Sequence, residues 1–125
     1  MSYEIQWEGK GVKCFFTDDF SNDILSANQK IISDKRLFDI KYQILDLTGV
    51  RHFSIDSHIV KNLAQQDAHD YKKNPNIRVA IVGTELVMKG LTNMYKTYLE
   101  LAGHDETWIV EIFDTLEAAN IWCNA

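Results

Sequence analysis

Strand-like and helix-like segments alternate along this chain, and that alternation constrains its fold more than any other feature. Tyr3 to Trp7 and Val12 to Phe16 are β-prone runs around the Gly-rich turn Glu8-Gly9-Lys10-Gly11, a hairpin signature. Thr17 offers an N-cap to a first helix, with Asp18 and Asp19 at its positive end. Phe20, Ile24, Ala27 and Ile31 recur at helical spacing in it, to about Lys35. Tyr42 to Leu47 is a third strand, and a loop follows it. A second helix runs from about Ser57 to Lys73, with Ile59, Val60, Leu63, Ala64 and Tyr71 on its apolar face. Asn74-Pro75-Asn76 ends it, because proline disfavours helix in the residue before it. Ile77 to Val82 is a strand closed by Gly83. Thr84 caps a third and longest helix, which ends before Gly103, a residue suited to a left-handed C-terminal cap. Thr107 to Phe113 is the fifth strand. Asp114-Thr115-Leu116-Glu117 reads as a capping box with Asp114 as cap, before a short helix carrying Ala118, Ile121 and Trp122.

The order β-β-α-β-α-β-α-β-α belongs to the α/β class, with the later strands parallel and joined by right-handed crossovers. The 125 residues fit one domain, 1–125, with no spare segment for a lid or linker. Ile77, Val79 and Ile81 alternate with Arg78, Ala80 and Val82, and Trp108, Val110 and Ile112 with Ile109, Glu111 and Phe113. A sheet covered on both sides by helices has uniformly apolar strands. One face here is richer in apolar residues than the other, so the helices are expected mainly on one face.

Composition excludes several classes. At 46% hydrophobic and 25% charged the chain is that of an ordinary globular protein. No apolar run approaches the roughly 18–20 residues of a membrane span. The net charge of −5 gives no general attraction to nucleic acid or to anionic membranes. Met1-Ser2-Tyr3-Glu4-Ile5 lacks a basic and then apolar signal sequence, and Cys14 and Cys123 read as unpaired thiols, so a cytoplasmic location is expected. No nucleophile elbow, phosphate loop or dinucleotide fingerprint is present, and His52, His58, His69 and His104 have no metal-ligand spacing. No catalytic residue, metal or cofactor is expected.

Three segments carry a resemblance to a known family. Ile44-Leu45-Asp46-Leu47-Thr48-Gly49-Val50 resembles the "hydrophobic-Asp-Leu-Ser/Thr-Gly-Val" strand and turn of STAS domains. Phe53-Ser54-Ile55-Asp56-Ser57-His58-Ile59 follows where those domains carry Asp-Ser-Ser/Thr-Gly-Leu. Phe113-Asp114-Thr115-Leu116-Glu117-Ala118-Ala119-Asn120-Ile121-Trp122 is similar to the closing "Phe-x-Thr-Leu-Glu-Glu-Ala-x-x-Trp" of the SpoIIAA-like branch, a set of small bacterial proteins. The resemblance implies a mixed, mostly parallel five-stranded sheet. It also implies a non-catalytic regulatory or protein-interaction module of the anti-sigma-factor-antagonist type. In those proteins a Ser or Thr at the start of the second helix is phosphorylated by a partner kinase. The fold is also compared with CRAL-TRIO domains, which implies the alternative of a small apolar, lipid-like ligand.

Two groups of residues are candidate sites. The first is the loop with Ser54, Asp56, Ser57 and His58, where a phosphate would meet the positive end of the second helix. Arg51, His52 and His58 could supply further donors there. His58 stands where the family has its second Ser/Thr, and Ile59 where it has Gly; the simpler role for Ser54, Asp56 or Ser57 is an N-cap. The second is the third helix, whose apolar arc spans roughly 160°, against about 100° for one sheet contact. Met88, Leu91, Met94, Tyr95, Tyr98 and Leu99 lie in that arc. The surplus would suit a homodimer contact, an apolar ligand pocket, or packing on neighbouring helices.

Overall fold

The structure is a computed structural model that describes residues 3–84, 86–101 and 108–125. Strands β1 (Tyr3–Trp7) and β2 (Gly11–Phe20) form the expected hairpin, closed by the Glu8 amide donating to the Gly11 carbonyl at 2.8 Å. Then follow α1 (Asp23–Ile32), β3 (Tyr42–Phe53), α2 (Ser57–Asp70), β4 (Arg78–Val82), α3 (Leu86–Leu101), β5 (Ile109–Phe113) and α4 (Leu116–Cys123). The sheet order is β1-β2-β3-β4-β5, with only the β1–β2 pair antiparallel. Each crossover thus moves one strand further in the same direction. Right-handed crossovers of that kind bring their helices to one face. Val12, Gln43, Val79 and Val110 form one row across that face, and Cys14, Leu45, Ile81 and Ile112 the next. Ile24, Ile31, Val60, Ala64, Met88 and Leu99 of α1, α2 and α3 complete the main core.

The chain turns back after β5, and α4, alone among the described helices, covers the other face. There Tyr42, Ile44, Ala80 and Val82 pack on Ala119 and Cys123, and the Phe113 and Trp122 rings lie 5.4 Å apart. The Arg78 guanidinium lies over the Trp122 ring and donates to the Trp122 carbonyl at 2.7 Å. Glu4, Gln6 and Thr17 on the same side of β1 and β2 are exposed. One face is therefore thickly covered and the other thinly.

Several local expectations are corrected. Thr17, Asp18 and Asp19 do not cap α1; they extend β2 and pair with Gly49, Val50 and His52. β3 likewise runs on through the expected loop to Phe53. Two register shifts leave β3 with extra residues, and Asp18 takes a φ of 57° at the second. At the first shift Asp46 Oδ1 accepts from the Thr48 amide (2.9 Å) and the Thr48 hydroxyl (2.6 Å). The Asp46-Leu47-Thr48-Gly49 motif is thus a bulge with its own acceptor. A Cβ at Gly49 would come within 3.0 Å of the Phe16 carbonyl oxygen. α1 ends at Ile32, and Lys35–Phe38 is a separate 3-10 turn capped by Asp34. Thr115, not Asp114, caps α4, its hydroxyl accepting from the Ala118 amide at 3.1 Å. Residues 71–73 form a 3-10 turn after α2. Glu85, Ala102, the Gly103 cap, His104 and Thr107 lie outside the described residues.

Candidate functional site

The β3–α2 loop is built by the paired arm of β2 and β3. The Phe20 and Phe53 rings meet edge to face at 5.8 Å, and the Ser54 amide donates to the Phe20 carbonyl at 2.9 Å. The chain then enters α2 at the carboxyl ends of the parallel strands, where ligands of α/β sheets gather. Asp56 is the N-cap: its Oδ1 accepts from the Ile59 amide at 3.0 Å. Neither Ser54 nor Ser57 caps the helix. Ser54, Asp56, Ser57 and His58 are all exposed, as are Arg51 and His52. Ile55 alone turns inward and is half-buried. The loop therefore presents two hydroxyls, a carboxylate and an imidazole to solvent on the positive end of a 14-residue helix.

The third-helix residues divide by depth. Met88, Tyr95 and Leu99 are buried, and Leu91, Met94 and Tyr98 are half-buried against the main core. Packing on α2 as well as on the sheet uses most of the wide apolar arc. Among the described side chains of α3, the large apolar ones that are exposed are at its ends, Leu86 (83% exposed) and Leu101 (75%).

Behind this helix lies a cavity of about 60 Å³ between the sheet and α1, α2 and α3. Leu45, Leu47, Ile81 and Met88 form its apolar walls, and Ile55, Leu63 and Leu91 stand at half-buried positions on its rim. Its inner part is polar. Asp67 of α2 accepts from Asn28 Nδ2 of α1 at 2.9 Å and from the Tyr95 hydroxyl of α3. Asn28 Nδ2 also donates to Gln66 Oε1 at 3.1 Å. Burial pushes the Asp67 carboxyl up to about 6, and the charge of Asp70 adds to this, while the Tyr95 and Asn28 bonds oppose it. Burial and the adjacent carboxylate push the Tyr95 phenol well above its usual range. Gln43 of β3, 3% exposed, also lines the cavity. A volume of this size is far below the roughly 300 Å³ at which drug-sized ligand sites begin. A lipid chain does not match it.

Asn28, Gln43 and Asp67 do not stand out when the sequence is read for apolar periodicity. Their signal is positional. Asn28 follows Ile24 at helical spacing, Asp67 follows Val60 and Leu63, and Gln43 points the same way as Leu45 in its strand. A polar residue in a core register is the pattern that reveals them.

The remaining candidates do not assemble into a reactive centre. Cys14 and Cys123 are free and buried, on opposite faces of the sheet. Burial raises the Cys14 thiol to about 12 and the Cys123 thiol to about 11, so both are protonated at neutral pH. Among the described residues no three His, Cys, Asp or Glu side chains gather as a metal site, and no helix is long and apolar enough to cross a membrane.

No protein-family model matches the sequence, and no curated protein matches it. The structure does match a solved one. The anti-sigma-factor antagonist SpoIIAA in its unphosphorylated form aligns over 95% of this chain and 94% of its own, with a TM-score of 0.61 and 9% sequence identity. The strand order, the three helices on one face and the lone helix on the other are thus those of a known architecture: the chain has the SpoIIAA-like, or STAS, fold.

Proposed function

We propose that residues 1–125 act as one cytoplasmic, non-catalytic regulatory domain that binds a protein partner through the β3–α2 loop. The observation that carries this reading is the exposure of Ser54, Asp56, Ser57 and His58 together, at the N-terminus of α2, in a fold shared with an anti-sigma-factor antagonist. Asp56 alone meets the capping need, so both serine hydroxyls are available for recognition. Phosphate on Ser57 would lie at the positive helix end, and would change the loop charge by about −1.5 to −2. That suits a binding switch.

A photo-crosslinking residue placed at His58 tests this in cells that express the protein. Asp39, exposed at the amino-terminal edge of β3, is the control position. A discrete protein adduct from position 58 and none from position 39 is expected, and Ser57→Glu should reduce it. Equal labelling from both positions, or none from position 58, overturns the reading.

A further inference from the structure

The cavity under α3 holds two buried polar groups whose bonding capacity the protein does not fill. Buried carboxylates are ordinarily paired with a cation or surrounded by donors. Asp67 receives two neutral donors, Asn28 and Tyr95, and forms no ion pair among the described residues. Among the described residues the charged neighbour that perturbs it is another carboxylate, Asp70, which is itself paired with Lys73 at 2.6 Å. Gln43 is 97% buried by its 3% exposure, yet its side-chain amide makes no hydrogen bond among the described residues. Its polar atoms are not sealed in protein either, since no fully buried polar atom lacks a partner. They face the cavity that Gln43 lines. Buried amides are bonded in the great majority of proteins, so an open one beside a cavity marks a place for a ligand.

The chemistry of that place is specific. The Asn28 amide hydrogens are already committed to Asp67 and Gln66. Thr92 commits its hydroxyl hydrogen to the Met88 carbonyl at 3.0 Å. What remains on offer is the rest of the Asp67 carboxylate's acceptor capacity and the Gln43 amide, whose carbonyl accepts and whose NH2 group donates; the formal charge among these groups is the negative charge of Asp67. The rest of the wall is apolar and chiefly aliphatic, with Leu45, Ile81, Met88 and Leu91 beside the Phe20 ring. One water occupies about 10–15 Å³ on this measure, so about 60 Å³ holds on the order of four to six non-hydrogen atoms.

We propose that this cavity binds a small primary ammonium compound with a short aliphatic tail, its N–H groups taken by Asp67 and Gln43 and its tail by the aliphatic wall. An ammonium group supplies three donors and the missing positive charge together. A carboxylate ligand would meet like charge, and an alcohol would bring one donor and no charge. The site is separate from the partner loop, although Ile55 forms part of its rim.

Titration of the full chain with n-butylammonium, followed calorimetrically and by methyl NMR at pH 7.5, tests the proposal. n-Butanol and n-butyrate are the isosteric controls. Saturable binding of n-butylammonium is expected, with shifts at the Leu45, Ile81 and Met88 methyls. n-Butanol should bind at least about tenfold more weakly, as befits loss of a charge-assisted contact. n-Butyrate should not bind. Asp67→Asn keeps an acceptor for Tyr95 and should remove the preference for the ammonium over the alcohol. Leu91→Trp narrows the rim without touching either polar group and should abolish binding in a protein of unchanged circular dichroism. Absence of saturable binding overturns the proposal. So does equal affinity for the alcohol, binding that survives Leu91→Trp, or shifts confined to methyl groups outside the cavity.

Discussion

Gly11 shows how one missing methyl group sets the position of an aromatic ring. It sits opposite Tyr42, and a Cβ there would lie 2.3 Å from the Tyr42 ring. That ring is buried under α4, with its hydroxyl donating to Glu8. Gly11→Ala must displace it and is expected to destabilise the protein by about 1–3 kcal/mol, as overpacking does. Urea unfolding measures this. Asp67 is the second informative residue. Its carboxyl titrates near 6 in the folded protein, above its ordinary range near 4 in the unfolded chain. The folded state therefore holds this proton more tightly. The cost of the buried charge is present in full above about pH 6 and is relieved as pH falls toward 4. A rise of roughly two pH units corresponds to about 3 kcal/mol. The urea stability of the wild type relative to Asp67→Asn is expected to increase between pH 7.5 and 5. A difference independent of pH would show that Asp67 does not titrate in this range.

At the scale of the element, the start of α2 separates structure from recognition. Asp56 bonds the Ile59 amide, whereas Ser57 forms no capping bond. Asp56→Ala should cost about 1 kcal/mol, the usual value of an N-cap. Ser57→Ala should stay within about 0.5 kcal/mol, as exposed substitutions do. Thermal unfolding of the two variants gives the comparison. A large loss from Ser57→Ala would assign that hydroxyl to the fold. The β2–β3 arm shows the limit of local reading. Thr-Asp-Asp before an apolar periodic run has the composition of a helix start, yet here it is strand. Pairing with Gly49 to His52 satisfies that backbone and overrides the local preference. α1 accordingly begins at Asp23, after Asn22, whose side chain makes no cap bond.

Across the whole molecule, Asn74 ties three connections together at the amino-terminal edge of the sheet. Its Nδ2 donates to the Leu37 carbonyl at 2.9 Å and the Ile40 carbonyl at 2.7 Å. Its own carbonyl accepts from Trp108 Nε1 at 2.7 Å. Asn74-Pro75-Asn76 looks like punctuation in the sequence, but Asn74 is buried and joins the approaches to β3, β4 and β5. Asn74→Ala leaves two carbonyls without that donor and should cost about 2–4 kcal/mol in chemical denaturation. A change under 1 kcal/mol would mean that water replaces the amide without loss.

Element order and class were legible in the sequence because apolar period and turn residues are local properties. The five strands, four helices and their unequal distribution over the sheet follow from the residues of each segment and the handedness of crossovers. The start of the second helix at Ser57 was legible too, but the loop read from Arg51 to His58 shrinks to residues 54–56, because Arg51 to Phe53 extend β3 and Ser57 and His58 open α2. Strand ends were not, because the partner that extends β2 lies some thirty residues away in β3. The cavity was not either. Asn28, Gln43, Asp67 and Tyr95 come from four different elements, and one sequence does not show which core positions face each other. By itself the sequence determined the alternating order and the faces each element must bury. Only the tertiary structure decided which polar side chains share the interior, because burial and hydrogen-bond partners are set by contacts between segments distant along the chain.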